Sequence, residues 1–324
     1  MYPADVSQDR PLDVFMAHMD VVFSDETELP LRVEDGRIYC PGVGDDTACL
    51  VCLLLAGKYI ARHVDSPSWR EIRGEDAPGL LLVCNAGEEG LGNLKGVRKI
   101  CEDYGGRIKS FCTFDSSLSS IVDRAVGSKR FRVKVRTRGG HSYNDFGNDN
   151  AIAGLASLVG NLYKIQVPEG GKTTYNVGMI SGGTSVNTIA QEAEMLYEFR
   201  SDKRENLEYM ERQFMEVLDR AKAEGMDVSF QVIGVRPCEG QVDPAQKQAL
   251  TDWAHRVVEE MTGQAPKHHA GSTDCNIPLS LGIPSVCVGS FRGAGAHTRE
   301  EYVETDSLEE GYKVAFGMIF GRRD

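Results

Sequence analysis

The 324-residue chain lacks any apolar run near the roughly 20 residues that a membrane-spanning helix needs, so the sequence predicts no membrane partner. The opening residues, MYPADVSQDR, contain no basic stretch followed by an apolar one, and we expect no secretory signal. Basic residues are in deficit, because 36 Lys and Arg stand against 48 Asp and Glu for a net charge of −12. Without a basic surplus to meet phosphates, nucleic acid is not expected as a partner.

The cysteines lack the pattern of a disulfide framework. There are nine of them, an odd number, and most lie within apolar segments. This usage is typical of reduced core thiols and predicts a cytoplasmic protein. Cys49 and Cys52 form a CxxC, but no second pair lies nearby to complete a zinc site, so we interpret both as buried helix thiols.

The first third of the chain alternates apolar strands with helices. LDVFMAH, GLLLVCNAG and IKSFCTFD read as strands, and the helices between them begin after Asp45–Thr47 and within NLKGVRKICEDYG. Apolar strands that are separated by helices indicate a mostly parallel sheet with both faces covered. We therefore predict an α/β domain over residues 1–126 that resumes over residues 238–324.

Residues 127–237 follow a different pattern. FRVKVRTRG alternates apolar and polar residues, as a half-buried antiparallel strand does. The order strand, helix, strand, strand, helix, strand then predicts a small ferredoxin-like α+β domain. The prediction is thus an α/β domain interrupted by an inserted α+β domain.

Five segments place candidate metal ligands at the ends of apolar strands or on loops that can reach them. They are FMAHMD (His18, Asp20), PGVGDD (Asp45, Asp46), NAGEEG (Glu88, Glu89), TFDSS (Asp115) and GAHTREE (His297). A single residue of this kind is more often structural or exposed than a ligand. In open α/β sheets, however, ligands bind outside the carboxyl ends of the strands, so five segments placed in this way predict one shared site. His, Asp and Glu without cysteine suit catalytic zinc, and carboxylates that can bridge suit two ions. The pattern therefore predicts a hydrolase with a two-metal centre.

Two neighbours of these ligands have separate predicted roles. Asp20 follows His18 by two residues and can accept a hydrogen bond from the second imidazole nitrogen, although it could equally be a turn carboxylate that faces solvent. Glu88 and Glu89 are adjacent and their side chains diverge. One of the two is expected to bind metal while the other acts as a general base toward water, the alternative being a solvated turn.

Jointly and in this order, HMD, GVGDDTA, GEEGLGNLKG, the Asp after the next strand, GGHS and GAHTREEY resemble the co-catalytic di-zinc exopeptidase and deacylase superfamily. The similarity is greatest to its peptidase T-like members. The ligands that this resemblance implies are His18, Asp45 and Asp115 on one ion and Asp45, Glu89 and His297 on the other. It further implies that Asp45 bridges the ions, that Glu88 is the general base and that Asp20 orients a ligand.

The inserted domain resembles the lid and dimerisation domain of the same superfamily. The resemblance implies that His141 stabilises the developing oxyanion, often in the site of the partner subunit, and that the protein is a homodimer. The substrate-binding residues that it implies are Asn187, Arg200, Gly271, Ser272 and Thr273.

The resulting prediction is a metallopeptidase of the aminopeptidase, dipeptidase or tripeptidase type with two divalent ions, zinc first and cobalt or manganese as alternatives. A metal-bound water would attack the peptide bond with Glu88 as its base. Asp115 favours peptides because the resemblance associates Glu at this position with deacylases. The alternatives are a deacylase of N-acyl amino acids on the same centre and a non-catalytic metal-binding interaction protein, although the latter has no need of Glu88.

Overall fold

The computed structural model describes residues 9–23, 28–63, 66 and 77–321. The chain forms two compact units: the described residues up to Ala125 and from Glu239 onward make the first, and Val126–Cys238 make the second. In the part of the chain that is described, no helix has the length and apolar character to cross a membrane.

The strands are, in chain order, β1 (Leu12–His18), β2 (Arg32–Glu34), β3 (Arg37–Tyr39), β4 (Gly79–Asn85), β5 (Ile108–Phe114), β6 (Ser120–Ala125), β7 (Gly127–Arg136), β8 (Gly140–His141), β9 (Thr173–Gly182), β10 (Thr188–Ile189), β11 (Glu192–Ser201), β12 (Asp227–Arg236), β13 (Lys267–Gly271), β14 (Ser285–Val288), β15 (Gly293–Ala294) and β16 (Tyr302–Glu304). The helices are α1 (Cys49–His63), α2 (Lys95–Tyr104), α3 (Ala151–Leu162), α4 (Arg204–Ala223), α5 (Pro244–Thr262), α6 (Asn276–Ser280) and α7 (Ser307–Phe320).

The first unit is built on a six-stranded sheet in the order β13-β6-β14-β5-β1-β4. Every neighbouring pair is parallel except β14 with β6. All seven residues of β1 are buried, as expected for a strand that is covered on both faces. The predicted fold class, a mostly parallel α/β sheet, is confirmed.

Alternate residues of β1 enter two separate cores. Phe15 and Ala17 pack with side chains of α1, α5 and α7, whereas Leu12, Val14 and Met16 pack with side chains of α2 and α6. The period of two along the strand therefore attaches one helical layer to each face of the sheet.

A small antiparallel sheet in the order β15-β16-β3-β2 also belongs to the first unit. Tyr302 of β16 lies opposite Tyr39 of β3, with the rings 5.4 Å apart between centroids. This pairing brings the chain just before β16 next to the chain just after β3, although more than 250 residues separate them in sequence.

The second unit has a four-stranded antiparallel sheet in the order β12-β7-β11-β9, with α3 and α4 against one face. The chain order β7, α3, β9, β11, α4, β12 is that of the predicted ferredoxin-like fold. Phe131, Tyr197 and Phe214 lie in its core, with the Tyr197 and Phe214 rings stacked 5.5 Å apart. The positions of β7 and β11 that alternate with the core residues carry a ladder of ion pairs between the two strands, including Arg130 with Glu198.

Candidate metal centre

Three neighbouring parallel strands, β4, β1 and β5, end at one edge of the sheet and bring candidate ligands together. His18 is the last residue of the middle strand, β1. Glu88 and Glu89 follow the end of β4 on one side, and Asp115 follows β5 directly on the other. The topology of the sheet therefore accounts for four of the predicted site residues without any special local structure.

His18 is almost fully buried, and both of its ring nitrogens face oxygen atoms. Its Nδ1 lies 2.9 Å from the backbone oxygen of Asp20, and its Nε2 lies 3.0 Å from Oδ1 of Asp45. Burial would lower the pKa of His18, but the hydrogen bond to Asp45 and the surrounding carboxylates raise it to about 11. Without metal, His18 therefore keeps a proton that a bound cation would displace.

The carboxylate of Asp45 lies between two histidines. One oxygen faces His18 as above, and the other, Oδ2, lies 3.0 Å from Nε2 of His297. His297 Nε2 is also 3.2 Å from Oε1 of Glu89. The Asp45–Asp46 peptide bond is cis, and it forms part of a turn in which neither residue is helical. Asp45 thus has the arrangement expected of a carboxylate shared by two metal ions.

Three groups of side chains bring potential ligand atoms within 4.8 Å of one another. They are Asp45, Glu89 and His297; His18, Asp46 and Asp115; and His18, Glu88 and Glu89. The first is the set predicted for one of the two ions. The second contains two of the three residues predicted for the other ion, with Asp46 in place of Asp45. The backbone N–H of His18 also donates to Oδ2 of Asp46 at 2.9 Å, so Asp46 holds the end of β1.

Asp20 is placed differently from its predicted role. The acceptor for His18 Nδ1 is the backbone oxygen of Asp20 at 2.9 Å, while the nearer side-chain oxygen is 3.7 Å away. The side chain instead accepts hydrogen bonds from the backbone N–H groups of Gly87, Glu88 and Glu89. Asp20 therefore connects the loop of His18 to the loop of the two glutamates.

Sequence reasoning missed two buried carboxylates that lie beside the predicted ligands. Glu301 accepts hydrogen bonds from the turn that carries Asp45. Asp274 accepts one from Nδ2 of Asn85, the last residue of β4, at 2.7 Å, and its charge helps to raise the pKa of Asp115. Glu301 follows His297 by four residues and Asp274 follows the predicted substrate loop directly, so proximity to those motifs was the signal available.

Two residues of the predicted substrate loop in the first unit, Gly271 and Thr273, make contacts that stabilise the loop itself. Gly271 ends β13 and packs so closely on β6 that an added Cβ would lie 2.9 Å from Val122. Thr273 is buried, and its hydroxyl accepts a hydrogen bond from the backbone N–H of Cys275. Ser272 between them is half-buried. Of the three predicted residues, Thr273 has the clearest structural role.

His141 and Asn187 lie together in the second unit. His141 of β8 pairs with Thr188 of β10, and the backbone N–H of Ser142 donates to the backbone oxygen of Asn187. The backbone N–H groups of Tyr143 and Asn144 face Nδ1 of His141, at 3.2 and 3.4 Å. A neutral imidazole with this acceptor carries its proton on Nε2, so exposed His141 presents an N–H donor.

Arg200 lies apart from His141 and Asn187. It is near the end of β11, whereas Asn187 precedes the start of that strand, and at about 3.3 Å per residue the strand between Glu192 and Arg200 spans roughly 26 Å. Its guanidinium makes two hydrogen bonds to Glu198, of 2.9 and 3.2 Å. In this chain Arg200 belongs to the ladder of ion pairs on the sheet.

The crowded carboxylates at the strand ends fit a pair of divalent cations. Burial, followed by the charges of Asp45 and Glu88, raises the pKa of Glu89 to about 7. Burial and the charge of Asp45 also raise the pKa of Asp115 well above its usual range. For Asp45 itself, burial is outweighed by the two histidines, which lower its pKa. Carboxylate and imidazole donors of this kind bind zinc and similar ions, and cations would relieve the mutual repulsion.

This fold and this donor set define a metal-dependent hydrolase. Residues 14–320 match the family model described as peptidase family M20/M25/M40, and the chain belongs to this family. Its members include peptidases and deacylases, and they use a dinuclear metal site. The superfamily named from the sequence motifs is therefore confirmed, and the non-catalytic interaction protein is not supported.

Similar proteins include both kinds of hydrolase. The chain is 24% identical to an acetylornithine deacetylase of Myxococcus xanthus, over 86% of this chain and 71% of that protein. It is also 24% identical to a succinyl-diaminopimelate desuccinylase of Nitrosomonas eutropha, over 93% and 80% of the two chains. Among solved structures, aminopeptidase PepT of Bacillus cereus superposes with a TM-score of 0.69 at 22% identity, covering 97% of this chain and 82% of that one. The last similarity supports the fold alone.

Proposed function

We propose that this M20-family hydrolase cleaves the peptide bond of short peptides. The observation that supports hydrolysis at a two-metal centre is the placement of Asp45, whose two carboxylate oxygens face His18 and His297 at 3.0 Å each. In the proposed site, His18, Asp45 and Asp115 would hold one divalent ion, and Asp45, Glu89 and His297 would hold the other. Bound there, zinc, cobalt or manganese would polarise the scissile carbonyl and activate water.

Glu88 is the proposed general base. Its side chain is buried, and its ligand atoms come within 4.8 Å of those of His18 and Glu89. The backbone N–H of Glu88 donates to Asp20, which positions the loop that carries the carboxylate. Glu88 takes a proton from the attacking water and later delivers it to the leaving amine.

The second unit is proposed to act as a lid and to form a homodimer. His141, as an exposed N–H donor, would stabilise the oxyanion, and Asn187 beside it would contact the substrate. Strand β9 lies at the edge of its sheet and has Met179 and Ile180 exposed at 65% and 58%. An apolar edge strand is a template for pairing with another chain, which supports a second copy of this protein as the partner.

Short peptides are favoured over N-acyl amino acids because Asp115 stands where the deacylase branch tends to have Glu. The second candidate, an N-acyl amino acid deacylase, is favoured by a specific observation: the two sequence relatives described above are named as a deacetylase and a desuccinylase. Both reactions break an amide bond at the same centre, so the two candidates differ only in the substrate.

A substrate panel separates the two candidates. The protein, loaded in turn with zinc, cobalt and manganese, is assayed against di- and tripeptides with free amino groups and against N-acetyl, N-formyl and N-succinyl amino acids. We expect a higher kcat/KM for the peptides. A higher kcat/KM for the N-acyl substrates with every metal would assign the chain to the deacylases.

A further inference from the structure

Glu301 makes an unusual set of contacts for a carboxylate that lies outside every ligand group. Its Oε2 accepts a hydrogen bond from the backbone N–H of Gly42 at 2.7 Å. Its Oε1 accepts two more, from the N–H groups of Gly44 and Asp45, each at 2.8 Å. The residue is only 2% exposed, so these three bonds provide the stabilisation that a buried carboxylate needs.

The turn that donates these bonds is shaped to receive the carboxylate. Gly42 has a positive φ of 78°, which favours glycine, and a Cβ added there would lie 2.3 Å from Val21. A Cβ added at Gly44 would lie 2.7 Å from the ring of Phe291 and 3.1 Å from Oε1 of Glu301. Both glycines therefore leave the backbone free to approach its neighbours closely, and Gly44 brings it directly against Glu301.

The backbone of Glu301 is fixed to the same region. Its carbonyl oxygen accepts a hydrogen bond from the backbone N–H of Cys40 at 3.1 Å, which continues the pairing of β16 with β3. Main chain and side chain of Glu301 thus both bind the segment between Cys40 and Asp45. Glu301 therefore accepts four hydrogen bonds from this segment, three at its side chain and one at its backbone oxygen.

On the other side, Glu301 belongs to the turn of His297. This turn is closed by the backbone N–H and the hydroxyl of Thr298, which both donate to the oxygen of Gly295. A Cβ added at Gly295 would lie 3.0 Å from the backbone oxygen of Glu300. His297, which has a positive φ of 65°, lies in this compact turn, four residues before Glu301 in sequence. The turn therefore links the position of His297 to that of Glu301.

We propose that Glu301 is a positioning residue that joins the turn of Asp45 to the turn of His297 and so assembles the ion site formed by Asp45, Glu89 and His297. It holds the N–H of Asp45 while its own turn presents His297 to the carboxylate of that same residue. Glu301 contacts neither substrate nor metal in this role. The inference rests on the proposed two-metal function and adds to it the residue that sets the geometry of one ion.

The test measures metal affinity in the full chain. Glu301→Gln keeps the size of the side chain but replaces one acceptor oxygen with an NH₂ group, which cannot accept from a backbone N–H. Zinc and cobalt binding are measured by competition with a chelator, in parallel with Glu300→Gln. Glu300 is the matched control because it is adjacent and exposed, and its side chain contacts Arg32 at the surface.

We expect Glu301→Gln to bind one ion as the wild type does and the second about 10- to 100-fold more weakly, the usual cost of losing a residue that orients a ligand. Activity should return when the metal concentration is raised by the same factor, with KM unchanged. A purely structural role would lower the thermal stability of the metal-free protein without shifting the metal dependence. Two ions bound with wild-type affinity would overturn the inference.

A second measurement needs no variant. In the metal-free wild type, the amides of Gly42, Gly44 and Asp45 should be protected from hydrogen exchange, because Glu301 holds them without metal. Rapid exchange of all three would contradict the inference. Failure of the proposed function is a separate result: if the wild type binds two ions yet cleaves neither substrate class, the function is wrong while the effect of Glu301 on the second ion is still measured.

Discussion

The carboxylate of Asp20 accepts a hydrogen bond from the backbone N–H of Glu89 at 2.9 Å, while its other oxygen accepts from Gly87 and Glu88. This contact ties the loop of His18 to the loop of the proposed base and ligand. Asp20 thus acts on the glutamates through its side chain and on His18 through its backbone oxygen.

Asp20→Asn should therefore disturb the loop of Glu88 and Glu89 more than it disturbs the position of His18. An amide offers one acceptor oxygen, whereas three N–H groups converge on the two oxygens of Asp20. We expect weaker binding of the ion proposed to bind Glu89, by about 10- to 100-fold. In a double-mutant cycle with Glu89→Gln, the second substitution should add little to the loss. Full additivity of the two losses would show that Asp20 acts elsewhere.

Glu88 and Glu89 should respond differently to the same substitution. Glu88→Gln should keep both ions, because Glu88 is not a proposed ligand, and should reduce kcat by about 10²–10⁴-fold through loss of the general base. Glu89→Gln should lose one ion. Metal analysis of each purified variant, alongside kcat at saturating metal, checks both expectations. Loss of metal from Glu88→Gln and retention in Glu89→Gln would mean that the two roles are exchanged.

The stability of the metal-free protein should depend on pH through Glu89. Its pKa is raised from the ordinary 4.5 to about 7, so folding favours the protonated form. This contribution to stability is fully present below pH 4.5 and is lost as the pH rises through 7. In EDTA, Glu89→Gln should match the wild type near pH 4 and melt at a higher temperature at pH 8.

Metal should reverse this order at pH 8, because the wild type then gains stability from two ions and the Gln variant from one. Melting curves with and without zinc at both pH values provide the comparison. Equal melting temperatures for the two metal-free proteins at pH 8 would show that ionised Glu89 does not lower the stability of the folded state.

The parts of the site that the sequence predicted are those that follow from strand ends. His18 and Asp115 come directly after apolar runs, and parallel neighbouring strands bring such residues to one edge. Glu301 could not be found in this way, because its importance lies in three backbone N–H groups that are 256–259 residues away in sequence. The sequence identifies the side chain of Glu301, but only the tertiary structure shows which backbone N–H groups it binds.

Arg200 illustrates the opposite difficulty. An Arg near the end of a strand is compatible with a substrate carboxylate and equally with an ion pair on the surface of the sheet. The structure gives it Glu198 as a partner, beside Arg130, within a sheet face on which charges alternate along two strands. Glu198 precedes Arg200 by two residues on the same strand, so the two side chains lie on one face of β11, and the register of β7 with β11 brings Arg130 to the same carboxylate. Local sequence shows the spacing within β11 but does not specify that register.

His141 should contribute to turnover from the second unit without any role in metal binding. All proposed ligands belong to the first unit, and His141 presents its Nε2–H at the surface of the second. His141→Ala should retain both ions and lower kcat by about 10²–10³-fold, the cost of losing an oxyanion donor. Tyr143→Ala is the matched control, because Tyr143 is a neighbouring exposed side chain, and it should keep wild-type kcat.

Mixing two inactive variants tests whether His141 serves the partner subunit. In a heterodimer of His141→Ala with Glu88→Gln, one active site has an intact base from its own chain and an intact histidine from the other. Random exchange between subunits of a symmetric dimer should then restore about a quarter of wild-type activity. If His141 instead served its own chain, each site would lack either the base or the histidine, and no mixture would recover turnover. Subunit exchange that is verified by mass-tagged chains, together with unrecovered activity, would therefore exclude donation across the dimer.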